Sequence, residues 1–179
     1  MAIRKIVPTP TSTSASSSSG DRPIINLKAF TAQLEGATDR ARLQKATTML
    51  RSDRFQLFND VADDHVTGVV KSQGDPSLIY ACKIDKSGRF MCCTQNLNRC
   101  GGLSGNKPCK HLLVLMIGLV QAGRADAGVL SPWVKAAKGK PPQLDKDAMS
   151  ATFVKYKGAE AGEIDWRPTE TIPEDYYAL

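Results

Sequence analysis

Hydrophobic positions along the chain change period at Arg54. Before it, "NLKAFTAQLEG" and "TDRARLQKATTMLRS" place apolar residues at helical spacing, with Ala41, Leu43, Ala46, Met49 and Leu50 forming the stripe of the second segment. Asn26 and Thr38 stand where helix caps are expected, and Gly36 where the first helix would end. After Arg54 the apolar residues come in short runs rich in Val, Ile, Phe and Tyr: "RFQLFND", "HVTGVVKS", "SLIYACKI" and "RFMCC". The separators "VADD", "QGDP" and "DKSG" are turn chemistry. Consecutive strands with short turns predict an antiparallel meander of four strands, the last running directly into Cys92. From Leu112 the pattern changes again. Leu112, Leu113, Leu115, Met116, Leu119 and Val120 wrap most of a helix circumference, which predicts a buried helix ending at Gly123. "SPWVKAAKG" predicts a short helix with Ser131 as cap, Pro132 at the first position and Gly139 past the end. "KDAMSATFVKYKG" predicts a last helix ending at Gly158. No internal repeat is visible.

This pattern predicts an α+β domain over residues 24–158. Residues 1–23 contain "TSTSASSSSG", a low-complexity Ser/Thr-rich stretch expected to be a disordered tail. Residues 159–179, with Pro168 and Pro173, are expected to form an acidic extended tail. A length of 179 residues suits one domain with tails, and 6% aromatics predict an aliphatic core. The longest apolar run, "LLVLMIGLV", is half of the roughly 20 residues that cross a bilayer. Met1–Pro10 lacks the apolar centre of a signal peptide. The expectation is therefore a cytoplasmic protein with no membrane segment, in a compartment where thiols stay reduced. Five cysteines, an odd number, do not suit a disulfide framework.

The net charge of +6 is unevenly placed. Residues 82–111 carry Lys83, Lys86, Arg89, Arg99, Lys107 and Lys110 against Asp85 alone. Residues 159–179 carry Glu160, Glu163, Asp165, Glu170, Glu174 and Asp175 against Arg167. The basic window could meet phosphate, an acidic protein or the chain's own tail.

That window also holds the candidate chemistry. "CCTQNLNRCGGLSGNKPCKH", Cys92 to His111, contains four of the five cysteines and one of the two histidines. Zinc takes four soft ligands in a tetrahedron, with its thiol ligands deprotonated. Cys109 and His111 are two apart, and positions two apart on a regular helix do not face each other. Both reach one metal only if Cys109 precedes the helix and His111 lies in its first turn. Pro108 suits such a start, and "GGLSG" supplies backbone freedom for closing the loop. Three thiolates and one Zn²⁺ leave a net negative charge, which suits a helix N-terminus beside Lys107 and Lys110. Successive strand side chains point to opposite faces, so Cys92 and Cys93 do not both ligate comfortably. The favoured set is Cys93, Cys100, Cys109 and His111, with Cys92 as the alternative to Cys93.

"CC…C…CKHLLVL" resembles the SWIM zinc finger, whose pattern is Cys-x-Cys, a variable gap, then Cys-x-His. Cys109-Lys110-His111 and the aliphatic helix behind them match its second half. The first half departs, with the adjacent pair Cys92-Cys93 and the extra candidate Cys100 in place of Cys-x-Cys. The resemblance covers about 40 residues. With the meander, "CGGLSGNKPCKHLLVLMIGLVQAG" is similar to the SWIM component of bacterial gene clusters that also encode a MoxR-type AAA+ ATPase and a von Willebrand factor A protein. The resemblance implies a protein–protein or nucleic-acid contact module, an adaptor in an ATPase-driven assembly.

The remaining residues offer little catalytic chemistry. "GGLSG" lacks the Lys-Ser/Thr ending of a phosphate-binding loop. Asp63, Asp64 and His65 read as a solvated turn, Cys82 as a small core residue and Trp133 as a packing anchor. No Asp or Glu lies between Cys92 and His111 to serve as a base beside a catalytic metal. The expected function is thus a non-enzymatic zinc-binding adaptor for protein partners. The alternatives are a nucleic-acid-binding zinc finger and a thiol redox switch using the spare cysteine Cys92.

Overall fold

The computed structural model describes residues 26–51 and 55–171. The expected Ser/Thr-rich tail and the last eight residues lie outside the described residues. Among those described, the elements in chain order are α1 (Leu27–Ala37), α2 (Arg40–Arg51), β1 (Phe55–Val61), β2 (His65–Lys71), β3 (Ile79–Asp85), β4 (Phe90–Thr94), a 3-10 turn at Gly101–Leu103, α3 (Lys110–Gln121), α4 (Ala127–Ala137), α5 (Lys146–Glu160) and β5 (Thr169–Thr171). The fold is α+β, with β1 to β4 as the expected meander.

The sheet is antiparallel throughout, in the order β4-β3-β2-β1-β5. Residues paired across antiparallel strands share a face, and neighbours along a strand alternate. Two adjacent rows therefore define the layers. Asn59, Gly68, Cys82 and Cys92 form one row. Leu115 of α3 sits over Gly68, where even a methyl group would come within 2.6 Å of its Cδ1. Phe58, Val69, Ala81 and Cys93 form the next row, on the other face. There Phe58 meets Tyr156 of α5 edge-on, with ring centroids 4.8 Å apart. Helix α3 thus covers one face and α5 the other. Burial on both faces leaves β4 without a polar side: Phe90, Met91, Cys92 and Cys93 are all buried.

Helices α1 and α2 pack on α3, and α4 packs on α1. The core is mainly aliphatic, as expected, with Phe30, Phe90 and Tyr156 among its largest fully buried side chains. Trp133 is buried as a packing anchor.

Helix limits follow caps, and four helices differ from expectation. Asn26 caps α1 as expected, accepting from the Ala29 N–H at 2.8 Å, but the helix continues through Gly36 to Ala37. At α2 the capping side chain is Asp39, accepting from the Arg42 N–H at 2.9 Å. Thr38 instead donates its hydroxyl to the Pro108 carbonyl at 3.1 Å. Helix α4 begins at Ala127, capped by Asp126, so Pro132 lies inside it. Burial of Ala127 and Leu130 carries the helix past the Ser-Pro start signal. Helix α5 runs past Gly158 to Glu160, and Gly162 takes the left-handed conformation beyond it.

The segment expected as an acidic tail re-enters the fold before it leaves the described residues. The Trp166 indole N–H donates to the Asn59 carbonyl at 3.1 Å, and its ring packs on Phe58. Thr169–Thr171 is extended, and it pairs with β1 as the fifth strand.

The β3–β4 turn, which delivers β4 to the site, is organised by Asp85. Its carboxylate accepts from the Ser87 N–H and hydroxyl at 2.9 and 2.6 Å, and from the Arg89 N–H and Nε at 3.1 and 2.7 Å. Burial alone would raise this carboxyl, but the bonds from Ser87 and Arg89 outweigh it and hold it below its ordinary 3.8. A depressed folded value means the stabilisation is present above the unfolded value and is lost as pH falls through the folded one. Asp85→Ala is expected to cost about 1–3 kcal/mol near neutral pH. It should also flatten the fall in stability below about pH 4. Urea denaturation at a series of pH values checks both.

Candidate metal centre

Strand β4 ends at Thr94, and a turn reverses the chain: the Leu97 N–H donates to the Thr94 carbonyl, and the Thr94 N–H to the Asn98 carbonyl. The returning chain runs antiparallel to β4, so the Cys100 N–H donates to the Cys92 carbonyl at 2.9 Å. That bond sets Cys100 beside Cys92. The 3-10 turn follows, with Leu103 buried beneath it. Gly102 lies so close to Cys109 that a Cβ there would stand 2.9 Å from the Cys109 Cβ. Pro108 then leads to Cys109, the N-cap of α3, whose side chain caps no backbone N–H. His111 is in the first turn of α3, as Cys-x-His at a helix start requires.

The sulfurs of Cys92, Cys100 and Cys109 and a ring nitrogen of His111 all lie within 4.8 Å of one another, and all four residues are buried. His111 Nδ1 is 3.6 Å from Cys100 Sγ and 3.9 Å from Cys92 Sγ. Zinc–sulfur bonds of about 2.3 Å and zinc–nitrogen bonds of about 2.0–2.1 Å at tetrahedral angles give S···N edges of about 3.5 Å. The two S···N separations are close to such edges, and every other pair of donors lies within 4.8 Å.

Of the two adjacent cysteines, the structure brings the alternative and not the favoured one into the cluster. Cys92, the alternative, joins Cys100, Cys109 and His111; Cys93 does not. Cys93 shares the row of Phe58 and Ala81, on the α5 face. Burial pushes its thiol up to about 12. The pattern could not separate the two, because both faces of β4 are covered.

Protonation bears on what the cluster can hold. Burial pushes the Cys92 and Cys109 thiols well above the ordinary value. Hydrogen bonds from Cys109 and Cys92, and one with His111, pull Cys100 far below it. Three thiolates buried together repel one another and would need a cation among them. The donor set fits a soft divalent metal: three sulfurs and an imidazole, with no carboxylate joining them among the described residues.

Two neighbours were not singled out as part of the site. Tyr80 stacks on the His111 ring, with centroids 3.7 Å apart and planes 17° apart, and so fixes the imidazole. Burial and then the nearby sulfurs raise its phenol. Cys82 lies 3.6 Å from Cys92, sulfur to sulfur. A hairpin centred on Ser87 pairs residues 82 and 92, and that turn was the available signal. From outside, Arg42 straps the loop: Nη2 donates to the Ser104 carbonyl and hydroxyl, each at 2.9 Å, and Nη1 to the Lys107 carbonyl at 3.4 Å. His111 Nε2 has no hydrogen-bond partner among the described residues.

Much of the basic window is engaged internally. Lys83 pairs with Asp145 at 2.7 Å and Arg89 with Asp85 at 2.7 Å, while Arg99 donates to the Leu103 carbonyl at 2.7 Å. Lys107 is exposed and Lys110 half-buried at the start of α3. His65 pairs with Asp64 at 2.6 Å on the surface.

The fold and site define an α+β protein with a buried Cys/His cluster of metal-binding geometry. No family model, curated protein or solved structure matches the chain. Among the described residues no helix is long and apolar enough to cross a membrane.

Proposed function

We propose that this chain is a zinc-binding, non-enzymatic adaptor of the SWIM type, acting through protein contacts in an ATPase-linked assembly. The observation that carries the zinc reading is the convergence of Cys92, Cys100, Cys109 and His111 from a strand, a loop and a helix start into one buried set of four donors. Four protein donors around zinc leave no open position, which is the coordination of a structural rather than a catalytic site. Zinc there joins β4 to α3 and shapes the loop between them. The adaptor and ATPase parts rest on the SWIM resemblance of "CKHLLVL" and the aliphatic α3 that follows it. The candidate partners are a MoxR-type ATPase and a von Willebrand factor A protein.

The internal use of Lys83, Arg89 and Arg99 favours protein over nucleic acid, since it leaves fewer cations for phosphate. The test is direct mixing of the zinc-loaded protein with each purified candidate, beside a random DNA and RNA pool. Binding to the ATPase or the von Willebrand factor A protein that survives physiological salt is expected. Nucleic-acid affinity falling about 10³-fold or more between 50 and 200 mM salt, with neither protein bound, would replace this reading with the nucleic-acid one.

A further inference from the structure

Cys82 lies outside the four-donor set yet touches it. It is fully buried on β3, directly opposite Cys92 on β4. The Asp85 N–H donates to the Arg89 carbonyl, so 85 and 89 form a hydrogen-bonded pair. Ladder pairs alternate, which makes Cys82 and Cys92, three rungs on, a non-hydrogen-bonded pair. Such pairs hold their Cα atoms about 4.5 Å apart, inside the roughly 4.4–6.8 Å spanned by disulfides. The two sulfurs are already 3.6 Å apart.

We infer that Cys82 and Cys92 are an oxidisable pair, which a hydroperoxide converts into a cross-strand disulfide that withdraws Cys92 from the metal site. The metal-release half of this inference rests on the zinc reading; the pairing does not.

The route begins at Cys100, the one residue of the three cysteines in the set that keeps any exposure, at 6 %, while Cys92 and Cys109 are fully buried. Its thiolate attacks hydrogen peroxide: an S–O bond forms, the O–O bond breaks and hydroxide leaves, giving a sulfenic acid. Cys92 attacks that sulfur, forming the Cys92–Cys100 bond as water leaves. Cys82 gives its proton to the hydroxide released in the first step, forming the second water, and attacks Cys92 Sγ; the Cys82–Cys92 bond forms and Cys100 departs as a thiolate. In net, two thiols and one peroxide become one disulfide and two waters, and the sulfurs supply both electrons. The cross-strand pair is the end point because the sheet already holds its two residues at bonding range, with no movement of backbone. Cys100, Cys109 and His111 remain, one donor short of a closed site.

The experiment treats the zinc-loaded full chain with a small excess of hydrogen peroxide. Released zinc is followed with a chromogenic chelator, and disulfides are mapped by mass spectrometry after alkylation and digestion. The expected result is a Cys82–Cys92 linked peptide, loss of the bound zinc equivalent, and its return after dithiothreitol and fresh zinc. Cys82→Ala, which removes no metal donor, should bind zinc as the wild type does and stop at the Cys92–Cys100 link. Zinc-loaded wild-type protein that oxidises with Cys82 still free to alkylate would overturn the pairing and leave the metal centre standing. Wild-type protein that binds no zinc yet links Cys82 to Cys92 would keep the pairing and remove the metal centre.

Discussion

Cys109→Ser is expected to lose bound zinc and to lower stability more than any surface change in the chain. Cys109 brings a sulfur to the cluster from the N-cap of α3, and through it a bound metal would tie that helix to β4 and the Cys100 loop. Binding confined to the folded state stabilises by about 4 kcal/mol when free zinc stands a thousandfold above its dissociation constant. For a domain of this size that is a fall in melting temperature of roughly 10 °C. Metal analysis of the purified variant and a thermal melt in the presence of zinc check it. The companion pair is sharper. Cys92→Ser should behave like Cys109→Ser, whereas Cys93→Ser should keep its zinc, because Cys93 lies on the opposite face of the sheet. Zinc retained in Cys92→Ser and lost in Cys93→Ser would return the site to the set first favoured by the sequence.

Gly88→Ala is expected to be the most damaging single methyl in the fold. Gly88 has φ +79°, a conformation that L residues with a side chain adopt only at a cost of about 1–2 kcal/mol. A Cβ there would also stand 2.3 Å from the Ala136 carbonyl carbon and 2.4 Å from the Ala137 nitrogen. Both are backbone atoms near the end of α4, which no rotamer change can move aside. Overpacking of this kind adds about 1–3 kcal/mol, so a total of about 2–5 kcal/mol is expected. Lys140, just past the end of α4, holds the same turn by donating to the Ser87 carbonyl at 2.5 Å. Gly74→Ala is the control: a Cβ there meets nothing within 4 Å, and its effect should stay within about 0.5 kcal/mol. Equal denaturation midpoints for the two variants would show that the turn yields to the added methyl.

The two predictions concern the two ends of β4, and the contrast between them marks how far the chain could be read unaided. The periods of its apolar residues determined the element types. Helical spacing before Arg54, short β-rich runs broken by "VADD", "QGDP" and "DKSG", and the all-round apolar helix after His111 each reappear in place. Local chemistry also determined the grammar of the second half of the site. Cys-x-His can share a metal only across a helix start, and Pro108 and the apolar run put that start at Lys110. These features depend on neighbours in sequence, and neighbours in sequence are what a pattern records.

Tertiary structure decided the rest. Thr38 gave up its capping role to Asp39 because the Pro108 carbonyl, distant in sequence, lies within reach of its hydroxyl. Thr169–Thr171 became a strand because β1 offered an edge to pair with. Above all, the choice between Cys92 and Cys93 was not written in β4. Alternation says that the two point to opposite faces, and a polar face would have shown which one turns inward. Here α3 covers one face and α5 the other, so both cysteines read as core, and only the packing of α3 over the row of Gly68, Cys82 and Cys92 gives one of them to the cluster and sets Cys82 beside it.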